Sequence, residues 1–469
     1  MSAIRDLAVA DLLRAYARHE LSPVAVLEDT YARLDAANPK INAVSYEDRP
    51  AALAAARGSE ARWLKGEPKG ALDGVPVSIK SNVAKKGWAG RRGSYQLPDT
   101  PASFDAPAVV ALESAGAISF CQTTMPEFGW KGIGDSPLHG ITRNPWGLGH
   151  TTGGSSAGAG ALGALGIGPL HLGTDGLGSV RMPASFCGLF GLKPSFGRVP
   201  AYPASPFGVL AHLGPMARTV EDGAFMLNVL SRPDARDMLA MNTPAPDFRI
   251  GLNDGIAGLR VGWSRDLGFV ENIDPEVARL TEAAAKRFAE LGAHVEEADP
   301  GFALEDARWP ADIMWWSGAG SILKPIPPEK FSEMDPGFVA SGKKGLALSA
   351  LDLITALARR AALGETMRRF HERYDLLLTP TMPITAVEAG RDTPADGIWG
   401  SDWVNWSPFT YPFNLTAQPA ATVPCGLAAN GLPVGLQIIG RQREDDLVMR
   451  AARAFESAQP FPRLDAPRG

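Results

Sequence analysis

"GLRVGWSRDLGFVENIDPEVARLTEAAAKRFAELGAHVEEAD", residues 258–299, carries the periodicity that decides the fold class. LRVGW reads as a short buried strand. Asp274 and Pro275 supply a cap and a first-turn proline for a helix, and Gly292 ends that helix before a second strand, HVEEA. Strand, helix, strand is a βαβ unit. Working outward, LDGVPVSIKSN, YDLLLTP and VGLQIIG are further short apolar runs of the buried type, and APAVVALESAGAISFC (106–121) reads as helix, glycine break, strand. Strands alternating with helices imply an α/β sheet. The first 65 residues read as helical, with Ser22 and Pro23 opening a helix whose apolar positions include Val26, Leu27, Tyr31 and Leu34. No internal repeat or linker interrupts the chain, so one domain over 1–469 is expected: a helical segment (1–65), a central core (66–220) and the remainder of the sheet with pocket segments (221–469).

The 469 residues are 45% hydrophobic, enough for a large core. The formal charge of −5, with no long basic run, excludes a dedicated nucleic-acid or anionic-membrane surface. Three cysteines, Cys121, Cys187 and Cys425, lack C-x-x-C spacing, which argues against a disulfide framework or a zinc site. The opening stretch is interrupted by charges throughout, so no secretory leader is expected and a cytoplasmic location is. The apolar run 157–173 is dominated by Gly and Ala and reads as a tightly packed core helix rather than a membrane span.

Residues 150–166, HTTGGSSAGAGALGALG, admit three readings. G-S-S-A-G fits a nucleophile elbow centred on Ser156, and G-A-G-A-L-G fits a dinucleotide fingerprint. Both patterns need an apolar strand just upstream, and TRNPWGLGHTTGG is no strand. The third reading makes the serines a proton relay to a nucleophile elsewhere. Downstream, in LGTDGLGSVRMPASFCGLFGLKPS (172–195), Ser179 follows a glycine-rich segment whose amide hydrogens can converge on an oxyanion.

Lys80 in GVPVSIK, Ser155 in GGSSAG and Ser179 in GTDGLGSVRMPASFCGLFGLKP resemble the three catalytic positions of the amidase signature family, with the family's spacing of 24 residues between the serines. MPEFGWKG, SPLHGITRNPW, GPMARTVED and GLPVGLQIIG extend the resemblance over most of the chain. It implies a central mixed, twisted β-sheet covered by helices on both faces. It also implies a hydrolase splitting the C–N bond of an amide, anilide or carbamate through an acyl-enzyme. Ser179 would be the nucleophile, Ser155 the shuttle and Lys80 the base, with the backbone of Gly176, Leu177, Gly178 and Ser179 as oxyanion hole. No metal or cofactor is implied, and the partner is a small amide-type substrate, the enzyme being a monomer or homodimer. Two alternatives share the fold: a non-catalytic binding protein and a glutamine-hydrolysing amidotransferase subunit.

The chemistry stands beside the resemblance. A serine hydroxyl is a weak nucleophile without an adjacent base, and a lysine whose pKa is lowered by burial can serve in place of histidine. Taken singly, Lys80 would read as a strand-end lysine, Ser155 as a helix cap and Ser179 as a turn residue. Asp175 and Arg181 are expected to pair. Leu177 stands where the family usually has glycine, so either it has ordinary dihedrals or the loop is strained. Met125, Gly129 and Gly154 are expected beside the substrate. The tryptophans of 309–316 and 399–406, Trp316 and Trp403 in particular, are read as irregular loop residues shaping a bulky, aromatic pocket.

Overall fold

Pro76–Lys80 is a fully buried strand, because Val77 and Ile79 face one apolar layer while its neighbours cover the other side. In the computed structural model, which describes residues 4–469, it lies within an eleven-stranded sheet. The strands in chain order are β1 Val44–Tyr46, β2 Pro76–Lys80, β3 Ile118–Thr123, β4 Asp135–Ser136, β5 Gly140–Ile141, β6 Leu170–Asp175 and β7 Phe190–Lys193. They continue with β8 His212–Ala217, β9 Arg260–Trp263, β10 His294–Glu297, β11 Leu376–Pro380, β12 Ala420–Leu427 and β13 Pro433–Gly440. The large sheet runs β1-β3-β2-β6-β8-β7-β12-β13-β11-β9-β10, and β4 pairs with β5 apart from it.

The sheet is mixed, as the resemblance implied. β3, β2 and β6 are mutually parallel, β11, β9 and β10 likewise, and the strands between them are antiparallel. The βαβ unit read from 258–299 is present: β9 and β10 are parallel neighbours joined by helix Pro275–Glu290, capped by Asp274 through the Glu276 N–H. Two large apolar clusters lie against the sheet, one holding the glycine-alanine helix Ala157–Ala164 and the other the helices 220–230, 275–290 and 445–458.

Three expectations change. The run 157–173 is not one helix: Gly166 and Gly168, at φ +62° and +80°, and Pro169 break it, and β6 begins at Leu170. The first 65 residues are not purely helical, since β1 pairs antiparallel with β3. Residues 304–323 form a regular helix despite Pro310, so the tryptophans at 309, 315 and 316 sit on a helix rather than in a loop.

The sheet places the chemistry. Lys80 is the last residue of β2 and Asp175 the last of β6, and these are neighbouring parallel strands. Both therefore emerge at the carboxyl edge of a parallel pair, the edge at which open α/β sheets bind ligands.

Candidate active site

Lys80 is completely buried. Its Nζ lies 2.8 Å from Ser155 Oγ, 2.9 Å from Ser156 Oγ and 2.9 Å from Thr174 Oγ1, so three hydroxyls surround one amine. Burial drives its pKa well below the ordinary lysine value, and the Asp175 charge opposes that shift only in part. Asn82 donates to the same Thr174 hydroxyl at 3.0 Å. Ser156 Oγ also accepts from the Thr174 N–H at 3.3 Å, which ties the serine pair to the end of β6.

Gly154 and Ser155 are joined by a cis peptide bond. A Cβ at Gly154 would come within 2.6 Å of the Ile133 backbone, so only glycine lets the two segments pass this closely. The Ser156 N–H donates to the Ser179 carbonyl at 3.2 Å, bringing the two serine motifs together although 24 residues separate Ser155 from Ser179. Ser155 and Ser179 open onto one cavity that is continuous with solvent. The Ser179 hydroxyl makes no hydrogen bond to a described residue.

Asp175 organises the turn that follows. Its carboxylate accepts from the Gly178 N–H at 2.7 Å and the Val180 N–H at 3.2 Å, and pairs with Arg181 at 3.0 Å through both Nε and Nη2. Burial would raise its pKa, but Arg181 and Asn414 outweigh that and hold it below the usual carboxylate range. Arg181 in turn donates to Thr410 O, Gln437 Oε1 and Asn414 Oδ1. The expected Asp175–Arg181 pair is thus present and fully buried.

Of the four expected oxyanion residues, Gly178 does not fit. Its N–H is committed to Asp175, and a Cβ there would strike Thr410 at 2.5 Å. The N–H groups of Gly176, Leu177 and Ser179 donate to no described residue. Leu177 takes ordinary negative φ; its side chain is buried and its carbonyl accepts from Thr410 Oγ1 at 2.7 Å. The turn therefore needs no glycine at 177, because Gly178, at φ +124°, supplies the unusual dihedral.

The expected substrate residues divide. Gly129 lines the cavity, and a Cβ on it would lie 3.1 Å from Ser155 Oγ. Met125 is buried behind Gly129, with its Cε 3.0 Å from that Cβ position, and Gly154 is packed against Ile133. Trp316 and Trp403 are corrected. Helical phase turns Trp316 away from the cavity, under Lys344 at 4.5 Å, while its neighbour Trp315 faces inward. Trp403 is buried between Trp315 and Trp406, with ring centroids at 6.3 and 6.4 Å. Trp315 stacks on Phe207 at 3.9 Å and donates Nε1–H to the Trp130 carbonyl at 3.1 Å. A Cβ on Gly176 would meet the Trp315 ring at 2.8 Å, so this ring lies directly against the turn before Ser179. Phe128, Phe207, Tyr202 and Arg92 complete the wall and were not singled out from sequence. Thr174 lay within the quoted motif, and its place at the end of a strand was the available signal.

A family model described as amidase matches residues 25–449. An acylamidase of Rhodococcus erythropolis is 36% identical over 97% of this chain and 96% of that protein. A glutamyl-tRNA(Gln) amidotransferase subunit of Myxococcus xanthus is 32% identical over 99% of each. Among solved structures, a bacterial aryl acylamidase of the amidase signature family superposes with a TM-score of 0.90 at 31% identity, covering 97% of this chain and 96% of that one. A 6-aminohexanoate cyclic dimer hydrolase complexed with substrate gives 0.88 at 28%, covering 98% of both. With its motifs, its sheet and these likenesses in agreement, the chain belongs to the amidase signature family of hydrolases acting on carbon–nitrogen bonds.

Proposed function

We propose that this enzyme hydrolyses aromatic amides of the anilide type, with Ser179, Ser155 and Lys80 as its catalytic residues. The observation that carries the reading is the buried Lys80 amine, 2.8 Å from Ser155, beside a cavity that Ser155 and Ser179 share. Ser179 Oγ attacks the amide carbon while its proton passes to Ser155 Oγ and the Ser155 proton to neutral Lys80 Nζ. The oxyanion faces the free N–H groups of Gly176, Leu177 and Ser179. As the C–N bond breaks, the relay runs backwards and delivers a proton to the departing amine. Water then cleaves the ester through the same relay and restores Ser179.

The aromatic preference is supported by the wall formed by Phe128, Phe207, Tyr202 and Trp315, and by the aryl acylamidase likeness. Gly129 borders the scissile bond in this reading, beside Ser155. A glutamine-hydrolysing role within an amidotransferase is the second reading, favoured by the 32% identity to a protein of that kind. The apolar wall weighs against it, since a small polar amide gains little there. The cytoplasmic placement belongs to this proposal and accords with three cysteines buried as free thiols.

Two measurements test the proposal. A sulfonyl fluoride is expected to label Ser179 alone, read by peptide mass spectrometry; labelling of Ser156 would overturn the assignment. Side-by-side kcat/KM values for acetanilide, an aryl carbamate, acetamide and glutamine are expected to favour the aryl substrates, and equal or better turnover of glutamine would favour the amidotransferase reading.

A further inference from the structure

Arg92, half-buried, differs from the cations Lys131, Arg181 and Arg308 in its lack of an acidic partner. Lys131 is matched by Asp135, Asp335 and Asp392, Arg181 by Asp175, and Arg308 by Asp312 and Asp402. Arg92 lines the cavity, half-buried, and its guanidinium forms no hydrogen bond or ion pair with a described residue. Burial lowers its pKa, and no neighbouring charge acts on it. The one carboxylate on the cavity wall, Asp175, is engaged by Arg181.

The backbone that presents Arg92 is held firmly. Arg92 sits at φ +51°, a region that side-chain-bearing residues rarely adopt. Its N–H donates to Ser81 Oγ at 3.2 Å, next to Lys80, and its carbonyl accepts from the Phe128 N–H at 2.8 Å. Phe128 is itself at φ +52° and precedes Gly129, which abuts Ser155. A disfavoured conformation pinned at both ends beside a site signals a side chain whose direction matters.

Arg92 is only partly exposed and has no counter-charge, and the planar fork of a guanidinium matches a carboxylate through two parallel hydrogen bonds. We propose that Arg92 is a specificity-determining residue that receives a carboxylate carried by the substrate, so that the preferred amides join an aromatic body to an anionic end remote from the scissile bond. This rests on the hydrolytic reading given above and narrows it to a substrate class.

The test uses two matched pairs, with the carboxylate on opposite sides of the amide. 4-Acetamidobenzoate is compared with 4-acetamidobenzamide, and N-phenylsuccinamate with 4-methyl-N-phenylpentanamide, following arylamine release. The wild type is expected to prefer the acid in at least one pair. In Arg92→Gln that preference should fall about 10- to 100-fold, the range for a charge-assisted contact, chiefly through KM. Arg92→Lys should restore part of it, and the neutral amide of the pair should be turned over by all three proteins. A wild type that favours neither acid, or a preference unchanged in Arg92→Gln, overturns the role of Arg92 while leaving the hydrolase intact. A wild type inactive on all four amides overturns the hydrolytic reading along with it.

Discussion

Replacing Lys80 with methionine separates the proposed catalytic role of this residue from its structural one. The substitution keeps the length of an apolar stem and deletes the amine that contacts three hydroxyls. Two of those hydroxyls keep other partners: Ser156 Oγ still accepts from the Thr174 N–H, and Thr174 Oγ1 still accepts from Asn82. Only Ser155 Oγ loses its sole protein partner, so the stability lost is about 1–2 kcal/mol, offset by no longer burying an amine. Loss of a general base removes about 10²- to 10⁴-fold in kcat, equivalent to about 3–5 kcal/mol in the barrier.

The variant is therefore expected to fold and to lose catalysis. Its pH dependence supplies a second readout. Because burial lowers the folded pKa of Lys80, the unfolded chain binds this proton more tightly, and wild-type stability rises with pH up to the ordinary lysine range. Below the folded pKa the cost of burying the ammonium is fully present. Urea unfolding at several pH values should give a smaller slope in Lys80→Met than in wild type, and the wild-type rate should rise with pH as Lys80 loses its proton. A Lys80→Met enzyme within tenfold of wild-type kcat, or with an unchanged stability slope, would refute the reasoning.

Trp315→Ala should lower kcat/KM for acetanilide about 30- to 150-fold, by the burial of one ring, whereas Trp316→Ala, which faces away from the cavity, should leave it within threefold; steady-state kinetics decide. Gly176→Ala places a methyl 2.8 Å from the Trp315 ring and should reduce kcat on acetanilide by about tenfold or more through the oxyanion turn. Burial raises Asp222 from 3.8 to about 6 in the fold. The folded carboxyl therefore holds its proton more tightly, and wild type loses about 3 kcal/mol of stability as pH rises from 4 to above 6. Asp222→Asn should remove that loss, read as a melting-temperature difference that grows with pH; a difference independent of pH would reject the assignment.

The cluster of Lys80, Ser155 and Ser179 proposed as the catalytic site was legible because these residues sit in long motifs with fixed spacing: GVPVSIK, GGSSAG and GTDGLGSVRMPASFCGLFGLKP. The βαβ unit at 258–299 was legible because its caps and period agree. Other features depend on contacts between distant segments. β8 and β12 are rich in Gly, Pro, Thr and Ala, β6 ends in Gly-Thr-Asp, and their strand character comes from pairing on both sides rather than from propensity. The phase that sends Trp315 inward and Trp316 outward is a property of a helix whose sequence contains Pro310 and little amphipathic pattern. Arg92 gave no sequence signal at all, since its importance lies in the partner it lacks.

The turn proposed as the oxyanion hole indicates why the buried Asp175–Arg181 pair belongs beside Ser179 rather than elsewhere in the core. A turn of glycine-rich backbone after a strand presents several N–H groups, and any of them buried without a partner costs free energy. Asp175 removes the Gly178 and Val180 donors from that set at 2.7 and 3.2 Å. Thr410 fixes the turn from behind by bonding the Leu177 carbonyl. The donors of Gly176, Leu177 and Ser179 remain without a described partner, and Gly176 and Ser179 line the cavity, which can offer a water or a substrate carbonyl oxygen. A charged carboxylate suits this task better than a neutral side chain because it accepts several hydrogen bonds at once, and Arg181 keeps it ionised. Selecting which backbone amides stay free is thus done by a salt bridge one layer behind Ser179. On that account, Leu177 is compatible with the turn because its amide stays free while its side chain is buried in the core.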